Sequence, residues 1–153
     1  ACPARAVCMA RAKGLTGVIP RPKRLAARRT IHCASVLITD VRGRVLVERR
    51  GPAGLWAGLW QAPTLESPAR ATRAAVERWI GLPGLARLNR LTHSTTHRIV
   101  EFEVWRGEGP VSLPGAMWKS PAQIRRLPLS SVQSRILLEL APPNRIARTA
   151  ASP

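Results

Sequence analysis

The chain has 153 residues and a formal charge of +17, because 25 lysine and arginine residues stand against 8 aspartate and glutamate residues. This length allows one domain with an appendage, and 45% hydrophobic residues are enough for a packed core. No apolar run approaches the roughly 18 residues that span a bilayer and no signal-peptide stretch opens the chain, so we expect a cytoplasmic protein rather than a membrane protein.

The first 30 residues are basic and contain no acidic residue. Gly14 and Gly17 followed by Pro20 and Pro22 predict a short ordered start and then an extended linker. The excess of arginine over lysine is typical of a GC-rich genome, but such bias explains poorly why so many cations gather in one segment. The segment favours nucleic-acid phosphates, since binding them releases counterions. A solvated tail is the alternative, and a membrane surface is less favoured because no apolar face accompanies the charges. The basic residues are Arg5, Arg11, Lys13, Arg21, Lys23, Arg24, Arg28 and Arg29.

A β-hairpin is predicted next. Residues 31–39 are rich in β-branched and apolar side chains, residues 40–43 read Asp-Val-Arg-Gly, and residues 44–49 alternate apolar with polar positions. Two such runs around a turn of this composition are typical of paired antiparallel strands.

A long loop and a helix follow the hairpin. Residues 51–64 are rich in glycine and proline and predict a loop whose two tryptophans are buried. Ser67 ahead of Pro68 predicts an N-cap with a first-turn proline, and Gly81 predicts the end of the helix. The apolar residues that recur at helical spacing are Ala71, Ala75, Val76, Trp79 and Ile80.

The remaining elements predict an α+β domain. Residues 98–105 alternate apolar side chains with glutamates and predict a strand, and Met117 with Trp118 predicts a short one. Ser120 before Pro121 predicts a brief helix, and Ser130 or Ser131 caps a last one. Strands interleaved with helices in a chain of this length are typical of an α+β fold.

The five tryptophans are predicted to serve the core rather than DNA contact. Trp79 lies on the apolar face of the predicted helix, Trp105 and Trp118 end strands, and Trp56 and Trp60 in the loop can cover the core. Burial of such large rings is the more common use of tryptophan in a small domain.

The three cysteines do not form a metal site by their spacing alone. Cys2 and Cys8 have five residues between them, whereas Cys33 lies in a predicted strand where a buried thiol is common. Two cysteines cannot complete a tetrahedral metal site, and a disulfide is not expected in the cytoplasm. Two incidental thiols are the favoured interpretation, unless a preceding segment supplies further ligands.

Several segments, taken in order, resemble MutY, the adenine DNA glycosylase family. Residues 2–23 are similar to the end of its 4Fe-4S loop and its interdomain linker, with Cys2 and Cys8 matching the last two cysteines of the pattern C-x6-C-x2-C-x5-C. Residues 44–50 (RVLVERR), 54–60 (GLWAGLW) and 91–97 (LTHSTTH) are similar to its C-terminal domain.

The resemblance covers about residues 2–140 and implies a Nudix-like fold, a mixed β-sheet flanked by helices with a basic N-terminal extension. It implies a 4Fe-4S cluster in the parent protein, for which Cys2 and Cys8 are a partial ligand set. The implied parts are the end of the cluster loop (1–12), a basic interdomain linker (13–30), a lesion-recognition domain (31–140) and a disordered tail (141–153).

A Nudix hydrolase must be weighed against this interpretation. Such enzymes hold metal ions with the carboxylates of a helix of pattern R-E-U-x-E-E-x-G-U. When Gly81 is aligned with the glycine of the pattern, its Arg-Glu and Glu-Glu pairs fall on Ala74, Ala75, Arg78 and Trp79. Glu66 and Glu77 remain nearby among arginines. We therefore predict no Mg²⁺ site and a solvated helix face with an Arg73–Glu77 pair.

Two imidazoles and three hydroxyls lie within residues 93–97. Alone, this cluster is typical of a polar hairpin tip, and zinc is not favoured because no third ligand lies near in sequence. The resemblance aligns it with the Phe-Ser-His loop that recognises 8-oxoguanine opposite adenine: Thr96 falls on the serine, His97 on the histidine and Thr95 on the phenylalanine. Because threonine cannot unstack a base step as an aromatic wedge does, weaker or differently arranged DNA distortion is implied. The implied DNA- and lesion-binding residues are His93, Ser94, Thr95, Thr96, His97, Arg21, Lys23 and Arg24.

The resemblance implies that this chain is the 8-oxoguanine-recognition and DNA-binding part of an adenine DNA glycosylase that removes adenine mispaired with 8-oxoguanine. It contains none of the catalytic residues, which belong to an N-terminal helical domain that accepts the flipped adenine, so we expect the chain alone to be inactive. The expected partner is double-stranded DNA with the mispair, bound by a monomer in the bacterial cytoplasm at the nucleoid. A non-catalytic subunit of a ribonucleoprotein and a divergent Nudix hydrolase stay open as alternatives.

Overall fold

The computed structural model describes residues 2–19 and 27–141. Three predicted phosphate-binding residues, Arg21, Lys23 and Arg24, lie outside the described residues, as does nearly all of the predicted tail. In the first described segment, α1 is a single turn, Met9–Ala12, with none of its side chains buried.

Seven strands form one mixed sheet with the main order β3-β2-β1-β6-β5, while β4 pairs with β1 and β7 with β2. The strands are β1 (Arg29–Thr39), β2 (Val45–Arg49), β3 (Trp60–Gln61), β4 (Thr64–Ser67), β5 (Ala86–Ser94), β6 (Arg98–Glu108) and β7 (Ala116–Lys119). β1 and β6 are parallel, in register from Arg29 beside Arg98 to Thr39 beside Glu108. Because β5 and β6 form an antiparallel hairpin, its turn lies at the same end of the sheet as the start of β1.

Helices cover both faces of the sheet. α2 (Arg73–Ile80) buries Val76 and Ile80 in a cluster with side chains from one face of β1. On the opposite face lie α3 (Pro121–Ile124) and α4 (Ser131–Ser134), which continues as a π-helix over Arg135–Glu139. Both faces of β1 are therefore buried, which explains its nearly continuous apolar sequence.

Most elements agree with the sequence-based predictions, and the α+β fold with a mixed sheet between helices is confirmed. The first hairpin, the strand that begins at Arg98 and the short strand around Trp118 are all present. The hydroxyls of Ser120 and Ser130 cap α3 and α4, each accepting a backbone hydrogen bond at 3.3 Å. Gly81 ends α2 in the left-handed conformation, with φ 71°.

The predicted start of α2 was wrong. Ser67 ends β4, and the helix begins at Arg73 after Thr72, whose hydroxyl accepts a hydrogen bond from the backbone N–H of Ala75 at 3.3 Å. Residues 64–67 instead pair with residues 32–35 of β1. This long-range pairing overrides the local capping signal of Ser67. Of the two short strands in this region, β3 lies within the predicted loop at residues 51–64, and β4 begins at its last residue.

β5 was not predicted as a strand. Only Leu91 among its residues is buried, because β5 is an edge strand whose side chains are mostly polar. In residues 2–19 and 27–141 no helix is long and apolar enough to cross a membrane.

Candidate nucleic-acid interface

The predicted lesion-reading residues meet at the turn between β5 and β6. The backbone N–H of Thr95 donates to the carbonyl oxygen of Arg98 at 2.8 Å, and that of Arg98 donates to Oγ1 of Thr95 at 3.1 Å. These bonds close the turn and leave Thr96 and His97 as an exposed two-residue tip. The Thr95 hydroxyl is thus engaged within the turn, whereas the tip residues face outward.

The start of β1 supports this turn and adds positive charge to it. The backbone N–H of Arg29 donates to the carbonyl oxygen of His97 at 3.2 Å, and Arg29 lies directly beside Arg98 in the parallel register. Arg28, Arg29 and Arg98 are exposed. No ion pair among the described residues includes any of these three arginines. We call Arg28, Arg29 and Arg98 together with the tip residues Thr96 and His97 the basic tip.

Two arginines along β6 are, by contrast, neutralised by carboxylates. On the α2 face, Arg70 contacts Glu101 at 2.7 Å and Arg90 contacts Glu103 at 2.7 Å. The hydrogen bond from Arg70 holds the pKa of Glu101 below its usual value. Arg29 and Arg98 differ from these two arginines because they lack a carboxylate partner among the described residues and lie side by side, which concentrates positive charge at the basic tip.

The far end of the sheet contains an ion pair between Asp40 and Arg44. There the Asp40 carboxylate accepts hydrogen bonds from Nε of Arg44 at 2.7 Å and from the backbone N–H groups of Arg42 and Arg44 at 2.9 and 2.8 Å. Desolvation acts to raise the pKa of Asp40, but the hydrogen bonds from Arg44 and Arg42 hold it below its usual value. Eleven residues of β1 separate this end from the basic tip, a distance of about 33 Å.

His93 lies below the tip and faces the core. Its ring centroid is 5.3 Å from that of Trp56, with an interplanar angle of 62°, and the Trp56 ring is 5.9 Å from that of Phe102. Of the residues predicted to bind the lesion, His93 is therefore packed against an aromatic pair, and Ser94 is exposed at the end of β5.

The two glutamates near the Nudix pattern are engaged by arginines. Glu77 accepts hydrogen bonds from Nε of Arg73 at 2.8 Å and from the backbone N–H of Leu85 at 2.9 Å, so the predicted Arg73–Glu77 pair is confirmed. The bond from Arg73 holds the pKa of Glu77 below its usual value. Glu66 pairs with Arg50 at 2.5 Å. No group of three His, Cys, Asp or Glu side chains in the described part of the chain is arranged to hold a metal ion.

The cysteines are split between the N-terminal segment and the core. Cys2 is exposed, Cys8 is partly exposed at the start of α1, and Cys33 is buried in β1, as predicted for a core thiol. A 4Fe-4S cluster takes four cysteine ligands. The described residues therefore offer at most half of such a ligand set and cannot hold the cluster by themselves.

Two features of this site were not predicted from the sequence. The sequence did not predict that three arginines, Arg28, Arg29 and Arg98, lie beside residues 95–97. The parallel pairing of β1 with β6 brings them there, and such pairing leaves no local pattern in the sequence. Trp56 was predicted to cover the core, and it does pack against the aromatic core, but its contact with His93 was not foreseen.

A family model described as NUDIX domain matches residues 34–139. The chain belongs to the Nudix family. Solved structures with similar folds include the following three. The C-terminal domain of mouse MUTYH, in a complex with human PCNA, is 22% identical with a TM-score of 0.58, covering 71% of this chain and 87% of its own.

Two proteins named MutT are just as similar in fold. The MutT protein of Methanosarcina mazei Go1 is 22% identical with a TM-score of 0.59, covering 83% of this chain and 99% of its own. The MutT NUDIX hydrolase of Burkholderia pseudomallei is 20% identical with a TM-score of 0.56, covering 75% and 100%. At such identities these structures establish the Nudix fold alone.

Proposed function

We propose that this chain is the lesion-recognition and DNA-binding part of an adenine DNA glycosylase of the MutY type, acting on 8-oxoguanine paired with adenine. The observation that carries the proposal is the basic tip. It joins an exposed hydroxyl and an exposed imidazole to three arginines without carboxylate partners among the described residues. Such a surface suits a ligand that presents both phosphates and base edges.

The arginines and the Thr96 hydroxyl have different roles in this proposal. Arg29 and Arg98 bind backbone phosphates and hold the domain on the duplex, which gives affinity without sequence information. The Thr96 hydroxyl, which both donates and accepts, reads the base. It can accept a hydrogen bond from the N7–H of 8-oxoguanine, and it distinguishes guanine, which has only an acceptor at N7, when its own proton is donated to another group. One such contact discriminates by about 1–3 kcal/mol, by analogy with other base readout.

A binding experiment tests the lesion-reading role of Thr96. The affinities of the chain for duplexes with an 8-oxoguanine–adenine pair and with a guanine–adenine pair are compared for Thr96→Ala and for Thr92→Ala. Thr92 is exposed on β5 and serves as the matched control. We expect Thr96→Ala to lower the preference for the lesion by about fivefold or more, and Thr92→Ala to leave it unchanged. An equal loss on both duplexes would contradict lesion reading.

The glycosylase activity and the cluster belong to the parent protein in this proposal. Adenine removal takes place in a separate helical domain, and residues 13–30 link that domain to the Nudix domain. Cys2 and Cys8 would supply two thiolates of a 4Fe-4S site completed by cysteines of a preceding segment. Their C-x5-C spacing and their exposure support this assignment. The solved C-terminal domain of MUTYH has a similar fold, which supports placing this chain at the C-terminal end of a MutY-type protein.

A Nudix hydrolase is the second candidate, favoured by the MutT structures with the same fold. It requires carboxylates for Mg²⁺, yet the positions of the pattern on α2 hold Ala75, Arg78 and Trp79, and Glu77 is engaged by Arg73 and Leu85. Mg²⁺-dependent hydrolysis of nucleoside triphosphates by the chain would favour this candidate. Preference for structured RNA over duplex DNA would instead favour a ribonucleoprotein subunit.

A further inference from the structure

We propose that Trp56 is a positioning residue for lesion recognition: its ring, held in a strained loop, orients the β5–β6 turn through His93. This inference rests on the proposed function of that turn. It assigns to Trp56 a role in base discrimination without contact to the base.

The backbone at Trp56 is strained. With φ 59° it is the only non-glycine residue with a positive φ in the described part of the chain. Such a conformation costs free energy for a bulky side chain and persists only where surrounding contacts hold it. Strain of this kind is found preferentially at functional sites.

The loop around Trp56 is held by hydrogen bonds that keep this conformation. The backbone N–H of Leu59 donates to the carbonyl oxygen of Trp56 at 3.1 Å, and that of Gly58 donates to Gly51 at 3.1 Å. Nε of Arg49, at the end of β2, donates to the carbonyl oxygen of Gly58 at 2.9 Å. The ring therefore projects from a loop anchored to the central sheet.

The strained conformation places the ring against both strands of the hairpin. Trp56 contacts His93 of β5 in an edge-on geometry and Phe102 of β6. His93 lies opposite Val100 in the hairpin register, and Thr95 follows it by two residues. A ring that contacts both strands just below the turn restricts how the hairpin can tilt, and so where the Thr96 hydroxyl points.

The turn itself is held by hydrogen bonds and not by packing of a large aromatic ring. Three bonds between Thr95 and Arg98 close it, a fourth joins the backbone N–H of Arg29 to the carbonyl oxygen of His97, and the turn contains no Phe, Tyr or Trp. A hydrogen bond to a base edge depends steeply on distance and angle. A tip that tilts freely would therefore still bind phosphates through its arginines but would lose discrimination between bases.

The test separates discrimination from affinity. Trp56→Gly removes the ring and also relieves the backbone strain, which offsets part of the packing that is lost. Trp56→Phe retains an aromatic ring as the conservative rescue. Trp79→Ala removes a partly buried tryptophan from the cluster around α2 on the other face of the sheet and is the matched control. Each variant is titrated with the 8-oxoguanine–adenine and guanine–adenine duplexes.

We expect Trp56→Gly to lower the lesion preference by about fivefold or more while its affinity for the undamaged duplex stays within about twofold. Trp56→Phe should recover most of the preference, and Trp79→Ala should keep all of it. In the free protein, the amide NMR signals of Thr96 and His97 should move in Trp56→Gly and stay in place in Trp79→Ala.

The outcomes distinguish this inference from the proposed function. If Thr96→Ala lowers the lesion preference but Trp56→Gly does not, the positioning role is wrong and the proposed function stands. If the unmodified chain shows no preference for the lesion, both are wrong. If Trp56→Gly and Trp79→Ala lose the lesion preference to the same extent, the loss is due to general destabilisation and the inference is wrong.

Discussion

Removing the two arginines that lie side by side at the start of β1 and β6 should flatten the salt dependence of DNA binding. Arg29 and Arg98 are adjacent in register, exposed and without an ion-pair partner in residues 2–19 and 27–141. Each phosphate neutralised by a protein cation adds about 0.9 to the slope of log affinity against log salt concentration. The variant Arg29→Gln/Arg98→Gln should lose about 1.8 of this slope if the two residues bind separate phosphates.

The size of the effect makes it measurable. A slope difference of about 1.8 corresponds to a roughly 12-fold difference in affinity change between 50 and 200 mM salt. A slope difference of about 0.9 corresponds to a roughly 3.5-fold difference. Fluorescence anisotropy with a short duplex at four or five salt concentrations distinguishes these values. The smaller change would mean that both arginines bind the same phosphate.

The control must remove the same charge from elsewhere. Arg42 lies in the turn after β1 and Arg87 near the start of β5, both exposed and both toward the far end of the sheet. Arg42→Gln/Arg87→Gln therefore has the same net charge as the test variant. Equal slopes for the two variants would refute the argument, because DNA would then respond to the total charge and not to the basic tip.

The same arginine pair predicts an opposite effect on stability. Like charges on directly neighbouring strands destabilise a sheet by about 0.2–1 kcal/mol. Arg98→Gln alone should therefore increase the free energy of unfolding in urea at low salt by a few tenths of a kcal/mol, and this gain should shrink as salt screens the repulsion. If Arg98 serves DNA binding rather than stability, its replacement should give a variant that is more stable but binds DNA less tightly.

Two further predictions concern the core. Burial raises the pKa of the Cys33 thiol from 9.0 to about 12. The unfolded chain loses this proton first, so the free energy of unfolding should fall by up to about 1.4 kcal/mol per unit above pH 9 in urea titrations, and Cys33→Ala should lack this fall. Gly107→Ala would place its Cβ 2.5 Å from Cδ2 of Leu82 and 2.7 Å from Cδ2 of Leu85. It should destabilise the fold by about 1–3 kcal/mol in the same assay, unlike Gly51→Ala, whose Cβ meets nothing within 4 Å.

Elements whose signals are local could be predicted from the sequence. The turn after β1 contains Asp40, whose carboxylate accepts two backbone hydrogen bonds within the turn, and Gly43, whose φ is 71°. The capping box of α3 lies within Ser120 and Gln123. In each case the bonds join residues at most four positions apart, so composition and spacing carry the information.

Elements defined by distant partners could not be predicted in this way. Ser67 carries a helix-capping signal but lies opposite His32 in the sheet, and β5 lacks the apolar alternation of a strand because it occupies an edge. The candidate site depends on distant partners as well. Thr96 and His97 could be predicted as a polar tip, but Arg29 reaches them only through a parallel register that joins residues 69 positions apart.

Glu77 connects α2, the helix that lacks the carboxylates of the Nudix pattern, with the candidate site. Its carboxylate accepts the backbone N–H of Leu85, the residue directly before β5 begins, and the guanidinium of Arg73 holds the carboxylate in place. Through these two bonds α2 fixes the start of the strand that ends, nine residues later, at the turn carrying Thr96. Both bonds are accepted by Oε1, and the adjacent guanidinium of Arg73 makes this carboxylate less attractive to a metal ion. This engagement favours a helix that supports the hairpin, which is what a domain that reads DNA at the hairpin tip requires.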